Sequence, residues 1–144
     1  MSEWKNGFLS DLAEIIMGQS PSGENCSNKP IGLPLLNGPT EFTNHSPVPV
    51  QFTNDSKRES KKGDILFCVR GSTTGKMNWS DQTYAIGRGI AAIRHKTGTH
   101  LNRYIRGIID YNLDELLQGA TGSTFPNVSR TDIGNIQILI PTLP

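Results

Sequence analysis

The stretch KKGDILFCVRGSTTGKM, Lys61 to Met77, decides the reading of the fold, because it contains the clearest strand in the chain. After a turn signal, Ile65, Phe67 and Val69 alternate with Leu66, Cys68 and Arg70. A period of two in branched and aromatic residues is the mark of a strand. Both faces are mostly apolar, so this strand is expected to lie inside a sheet rather than at its edge. It runs into Arg70–Lys76, a loop of hydroxyls, two glycines and two cations suited to holding phosphate.

Whose phosphate it holds is partly decided by spacing. A nucleotide loop needs G-x-x-x-x-G-K-[ST], so that backbone amides wrap a pyrophosphate and the last hydroxyl binds magnesium. Here only three residues separate Gly71 from Gly75, and Met77 stands where the hydroxyl belongs. The loop therefore lacks both the span and the metal ligand of a nucleotide site.

Outward from this strand, YAIGRGIAAIRH (Tyr84 to His95) reads as a second buried strand, with Gly87 and Gly89 around Arg88 marking a bulge or a close backbone approach. From His100 to Gln118 apolar residues recur at helical spacing, which predicts the one long helix, with Thr99 as N-cap and Gly119 as stop. Its charges run against the helix dipole: Arg103 and Arg106 fall in the first half, and Asp110, Asp114 and Glu115 in the second. Something outside the helix is expected to hold those arginines. A Gly/Ser/Thr loop follows, then a helical turn around Ser129 to Ile133 and a strand carrying Ile136, Ile138 and Ile140.

Upstream, Ser10 to Ala13 reads as a short helical turn, Ile15 to Met17 as a strand, and Gln19 to Gly23 as a loop. GLPLLNG is another short apolar run. PVPVQFT contains two prolines, which predict an edge strand or an extended loop.

The totals agree with a mixed α and β chain rich in loops. Its 144 residues match one domain, and 15 Gly with 9 Pro imply many turns and short strands. Two separated cysteines and no apolar N-terminal run point to the cytosol, so the five N-x-[ST] sequons carry no weight. Net charge is only +1, but it is polarised: Lys57 to Arg106 holds 11 of the 14 Lys and Arg against Glu59, Asp64 and Asp81, a local +8 that leaves −7 elsewhere. Gathered on one side, such a block attracts a polyanion; dispersed, it is a solvated surface.

Catalytic patterns are missing. GRGIAA lacks the dinucleotide fingerprint, and His45, His95 and His100 with two scattered cysteines make no metal site. Glu59–Lys61 echoes half of a nuclease motif without its partner aspartate and reads as a solvated turn. No nucleophile elbow occurs, and no cofactor is implied. What remains is four polar loops punctuated by cations: GQSPSG, RGSTTGK, GRG and TGSTFPNVSR. Glycines permit close approach, hydroxyls and amides donate to phosphate oxygens, and Arg or Lys supply charge or base contacts.

These loops, in this order, resemble the target recognition domain of type I restriction-modification specificity subunits. The matching pieces are LAEIIMGQSPS, GLPLLNG, KKGDILFCVRGSTTGK, AIGRGIAAIR and GSTFPNVSRTDIGNIQILIPTLP, nearly the whole chain. The resemblance implies an α+β fold: a single mixed α/β domain over 1–144 with a twisted, mainly antiparallel sheet, one long helix and long polar loops. It also implies recognition of one half of a bipartite double-stranded DNA target, with methylation and cleavage left to partner methyltransferase and restriction subunits. Full-length members carry two such domains joined by long spacer helices, and IPTLP falls where the first spacer would begin.

On this reading the DNA-facing residues are Arg70, Ser72, Thr73, Thr74, Lys76 and Arg88, supported by Gln19, Ser20, Ser123, Thr124, Asn127 and Arg130. Arg70 and Arg88 have a structural alternative, pairing with Asp64 or Asp81. Lys57, Arg58, Lys61 and Lys62 are expected to steer DNA by long-range charge, with Arg103 and Arg106 as secondary phosphate contacts. The competing function is a protein-assembly module, in which the helix and C-terminal strand face a partner and the basic block is incidental.

Overall fold

The computed structural model describes residues 4–119 and 127–141. In chain order the elements are β1 (Trp4–Phe8), α1 (Leu9–Leu12), β2 (Ala13–Met17), β3 (Cys26–Ser27), β4 (Leu33–Leu36), β5 (Gln51–Thr53), β6 (Ile65–Cys68), β7 (Met77–Trp79), β8 (Ala85–Ile86), β9 (Ile90–His95), α2 (Asn102–Gly119), α3 (Arg130–Gly134) and β10 (Gln137–Pro141). The mixed α/β character, the antiparallel pairing and the one long helix follow the sequence reading. The strands, however, divide among three sheets: β1-β10, β2-β9-β6-β7 and β3-β5-β4-β8. All pairings are antiparallel except β4 with β8.

The alternation in β6 builds the molecule. Ile65, Phe67 and Val69 face one core with Ile15, Ala91 and Ile93, closed over by Ile105, Ile109 and Leu116 of α2. Leu66 and Cys68 face a second core with Leu36, Phe42, Tyr84, Ile86, Ile90 and Ala92, which joins the two four-stranded sheets. β6 lies between β9 and β7, and all four of its residues are buried. Each such aliphatic or aromatic side chain contributes about 1.5–3 kcal/mol by leaving water.

Three expectations need correction. Tyr84 to His95 is two strands in two sheets, β8 beside β4 and β9 beside β6. Gly87 and Gly89 allow the crossing: a Cβ on Gly89 would stand 2.5 Å from the Asn37 carbonyl oxygen. Gln51–Thr53 is an interior strand, paired on both sides, because Pro47 and Pro49 precede it and remove no ladder donor. Thr99 does not cap the helix but opens a 3-10 turn, Thr99–Leu101, that leads into α2.

Polar groups fix these layers. Asp64, fully buried, receives Arg94 Nε at 2.8 Å, Arg94 Nη2 at 2.7 Å and the Lys61 amide at 2.8 Å. Arg94 also reaches Glu14 at 3.2 Å, tying β9 to β2. The Asp64 contact, ahead of the cost of burial, holds the Arg94 guanidinium above its ordinary pKa. Asn102 joins the start of α2 to both chain segments near it, accepting from His95 N at 2.7 Å and donating to Gly63 O at 2.7 Å. Asn78 exchanges two hydrogen bonds with the Thr43 backbone, at 2.9 and 2.7 Å.

Candidate nucleic-acid interface

One end of the β2-β9-β6-β7 sheet gathers the end of β2, the β6–β7 turn and the start of β9. Main-chain hydrogen bonds join the loops there. Val69 N donates to Gly89 O at 3.0 Å, Val128 N to Val69 O at 2.8 Å, Gly18 N to Ile90 O at 2.9 Å and Gln19 N to Ile86 O at 3.0 Å. Three of the polar loops found in the sequence, GQSPSG, RGSTTGK and GRG, therefore meet through backbone, and Val128 ties the described end of the fourth to them.

The Arg70–Lys76 loop is a closed turn. Gly75 N donates to Cys68 O at 2.8 Å, Cys68 N to Lys76 O at 2.9 Å and Lys76 N to Thr73 O at 3.0 Å, while Thr74 Oγ1 donates to Gly71 O at 2.7 Å. Gly71 and Gly75 take φ of 93° and 99°, conformations that side-chain-bearing residues rarely adopt. Beneath it, the buried Cys68 thiol donates to Arg70 O at 3.2 Å, and burial pushes its pKa up, keeping it a protonated donor. Arg70, Ser72, Thr73 and Lys76 stand exposed on this frame.

Arg88 is exposed at the tip of the β8–β9 crossing, and its amide donates to Ser20 Oγ at 3.1 Å. Ser20 in turn donates to Asn37 Oδ1 at 3.3 Å, and Asn37 Nδ2 donates to Gln51 Oε1 at 3.2 Å. This chain crosses Gly87, where a Cβ would lie 2.2 Å from Asn37 Oδ1 and 3.0 Å from Ser20 Oγ. Asn37 and Gln51 were missed in the sequence. As isolated polar residues in or beside short strands they carry no local signal, and only the pairing of β4 with both β5 and β8 brings them here.

The structural alternative for Arg70 and Arg88 loses its partners. Asp64 is taken by Arg94, and Asp81 accepts the Tyr84 hydroxyl. Among the described residues neither Arg70, Lys76 nor Arg88 forms an ion pair. Other members of the basic block have partners of their own. Lys57 pairs with Asp55 at 3.0 Å, and Arg106 sits 5.1 Å from the Trp79 ring centroid with Asp110 at 3.8 Å. That stacking is what holds Arg106 against the helix dipole. Arg58 stays at the interface end, since its carbonyl accepts from Ile86 N at 3.0 Å.

Not every predicted residue joins the group. Arg130 opens α3 and lines a cavity with Ser10, Glu14 and Lys96, beside the start of β2 rather than its end. Asn127 is exposed next to the anchored Val128. Ser123 and Thr124 lie outside the described residues.

The chain is a layered α/β fold that presents cations without ion pairs among the described residues, and small polar residues, on loops joined by backbone hydrogen bonds. The whole chain, residues 1–144, matches the type I restriction modification DNA specificity domain, and it belongs to that family. It is 32% identical over 130 residues to a protein of Methanocaldococcus jannaschii named as a type I restriction enzyme MjaX specificity subunit, covering 90% of this chain and 30% of that one. Among solved structures it resembles the HsdS subunit of Thermoanaerobacter tengcongensis, with a TM-score of 0.78 and 29% identity over 98% of this chain and 33% of the other. A chain from a structural study of type I R-M complex assembly and conformational transition gives a TM-score of 0.80 at 29% identity, over 97% of this chain and 34% of that one. The S subunit of M. genitalium shares the fold at 16% identity, with a TM-score of 0.67 over 97% of this chain and 35% of its own. The chain thus spans about a third of the length of each of these relatives.

Proposed function

We propose that the chain is a DNA target recognition domain that reads one half of a bipartite double-stranded sequence for a type I restriction-modification complex in the cytoplasm. Methylation and cleavage belong to partner methyltransferase and restriction subunits. The observation that carries this reading is the convergence of Gln19–Ser20, Arg70–Lys76 and Arg88 on one end of a sheet, with Arg70, Lys76 and Arg88 free of ion pairs among the described residues. Exposed cations on a backbone-anchored frame meet phosphates and base edges with little reorganisation.

Binding of short duplexes, measured against salt, tests this. Lys76→Ala is expected to weaken all sequences alike and reduce the salt slope by about 1, whereas Arg70→Ala is expected to cost about 1–3 kcal/mol at one base pair. If both variants bind duplex at low salt as well as the parent, the loop is not the interface.

A separate face favours protein contact. Tyr104, Tyr111 and Leu139 are exposed around a shallow groove of about 400 Å³ between α2 and β10. We assign assembly with the partner subunits to this face.

A further inference from the structure

Resting on the DNA reading above, Gln51, which nothing in its local sequence marks, joins Arg88 at the candidate interface. We propose that Gln51 and Arg88 read one G·C base pair in the major groove, facing its guanine, and that Asn37 and Ser20 are the positioning residues that set this choice.

The argument is the direction of the hydrogen-bond chain. Arg88 N donates to Ser20 Oγ, Ser20 Oγ donates to Asn37 Oδ1, and Asn37 Nδ2 donates to Gln51 Oε1. Each step uses an acceptor, so the chain ends by consuming the carbonyl of Gln51. Gln51 is exposed, and its amide nitrogen keeps two N–H donors with no partner among the described residues. Arg88 is exposed as well and is donor only, whereas the exposed Asn37 already spends its Oδ1 and Nδ2 on Ser20 and Gln51. Two side chains that offer donors alone suit the base edge that offers two adjacent acceptors, which thymine, with O4 beside a methyl, does not. Guanine presents N7 and O6 side by side; adenine places its N6 amine next to N7, and cytosine presents an amine.

The chain is also built into the backbone. Gly87 leaves the space that Ser20 and Asn37 occupy, with Asn37 Oδ1 only 2.2 Å from where a Cβ would stand. Gly18 and Gly89 bring their loops equally close, 1.9 Å from Gly87 O and 2.5 Å from Asn37 O on the same measure. Gln51 is anchored from the other side by its place in β5, opposite Leu35. The reading group is thus held by two sheets at once.

Selection from randomised duplexes tests the assignment, using the chain and its Gln51→Met, Gln51→Glu and Asn37→Ala variants, each checked for its parental melting transition. The parent is expected to enrich guanine at one position. Gln51→Met should flatten that position by roughly 5- to 10-fold and leave the others unchanged. Gln51→Glu, which turns the exposed donor into an acceptor, should replace guanine by cytosine there. Asn37→Ala should loosen the same position although the reading side chains remain, an effect that a purely structural role would not confine to one base. Unaltered base profiles in Gln51→Met and Asn37→Ala, beside a parent that selects a sequence, overturn this inference and leave the DNA reading standing. A parent that enriches no sequence overturns both.

Discussion

Asp64 shows how one residue separates structure from function in a basic segment. Its carboxylate is wholly buried and takes both a two-pronged contact from Arg94 and the Lys61 amide, so it removes the one arginine of the block that would otherwise be unsatisfied inside. Asp64→Ala leaves Arg94 largely buried with only the solvent-exposed Glu14 as partner and is expected to cost about 3–5 kcal/mol, read from urea unfolding. A loss below about 1 kcal/mol would show that water reaches the pair. From sequence, Asp64 stood as a candidate partner for Arg70 or Arg88. Only the register that sets Ile65 opposite Ile93 brings Arg94 to it and leaves Arg70 at the far end of the strand.

At the scale of elements, α3 is held by its cap. Ser129 Oγ accepts from Asp132 N at 3.0 Å, and Asp132 Oδ2 accepts from Ser129 N at 2.9 Å, two exposed bonds that were legible as a helical turn in VSRTDIG. Ser129→Ala is expected to destabilise the chain by about 1 kcal/mol and Ser129→Asp to recover most of it in the same unfolding assay. Equal stability of the two variants would contradict the cap. Other elements were less legible. The β6 alternation and the long helix carried their periods openly, but β8 and β9 read as one strand because both halves are apolar, and the change of sheet occurs within three residues. β5 was hidden by prolines that lie just outside it. Gln51 of the candidate interface was lost with it, since a residue in a supposed loose loop gives no reason to expect a fixed side chain.

The molecule as a whole depends on the second core, in which Tyr84 is fully buried and bound to Asp81. Burial, followed by the Asp81 contact, pushes its phenol from 10.0 up to about 12. The phenol is neutral in both folded and unfolded chains below about pH 10, so stability is unaffected there. Between 10 and 12 the unfolded chain ionises and the folded one does not, and the fold loses about 3 kcal/mol across that window. Urea midpoints measured from pH 9 to 12 should fall for the parent and fall less steeply for Tyr84→Phe; parallel curves would exclude Tyr84 as the cause. The interface depends on a different kind of construction. Its loops are tied by main-chain hydrogen bonds and by glycines, while Arg70, Ser72, Thr73, Lys76, Arg88 and Gln51 project from them exposed. Exchanging such side chains removes little packing, so on the proposed DNA reading new target sequences would be open to the chain through substitutions that selection for stability hardly opposes. A lineage carrying this frame is free to drift in what it recognises while keeping what it is.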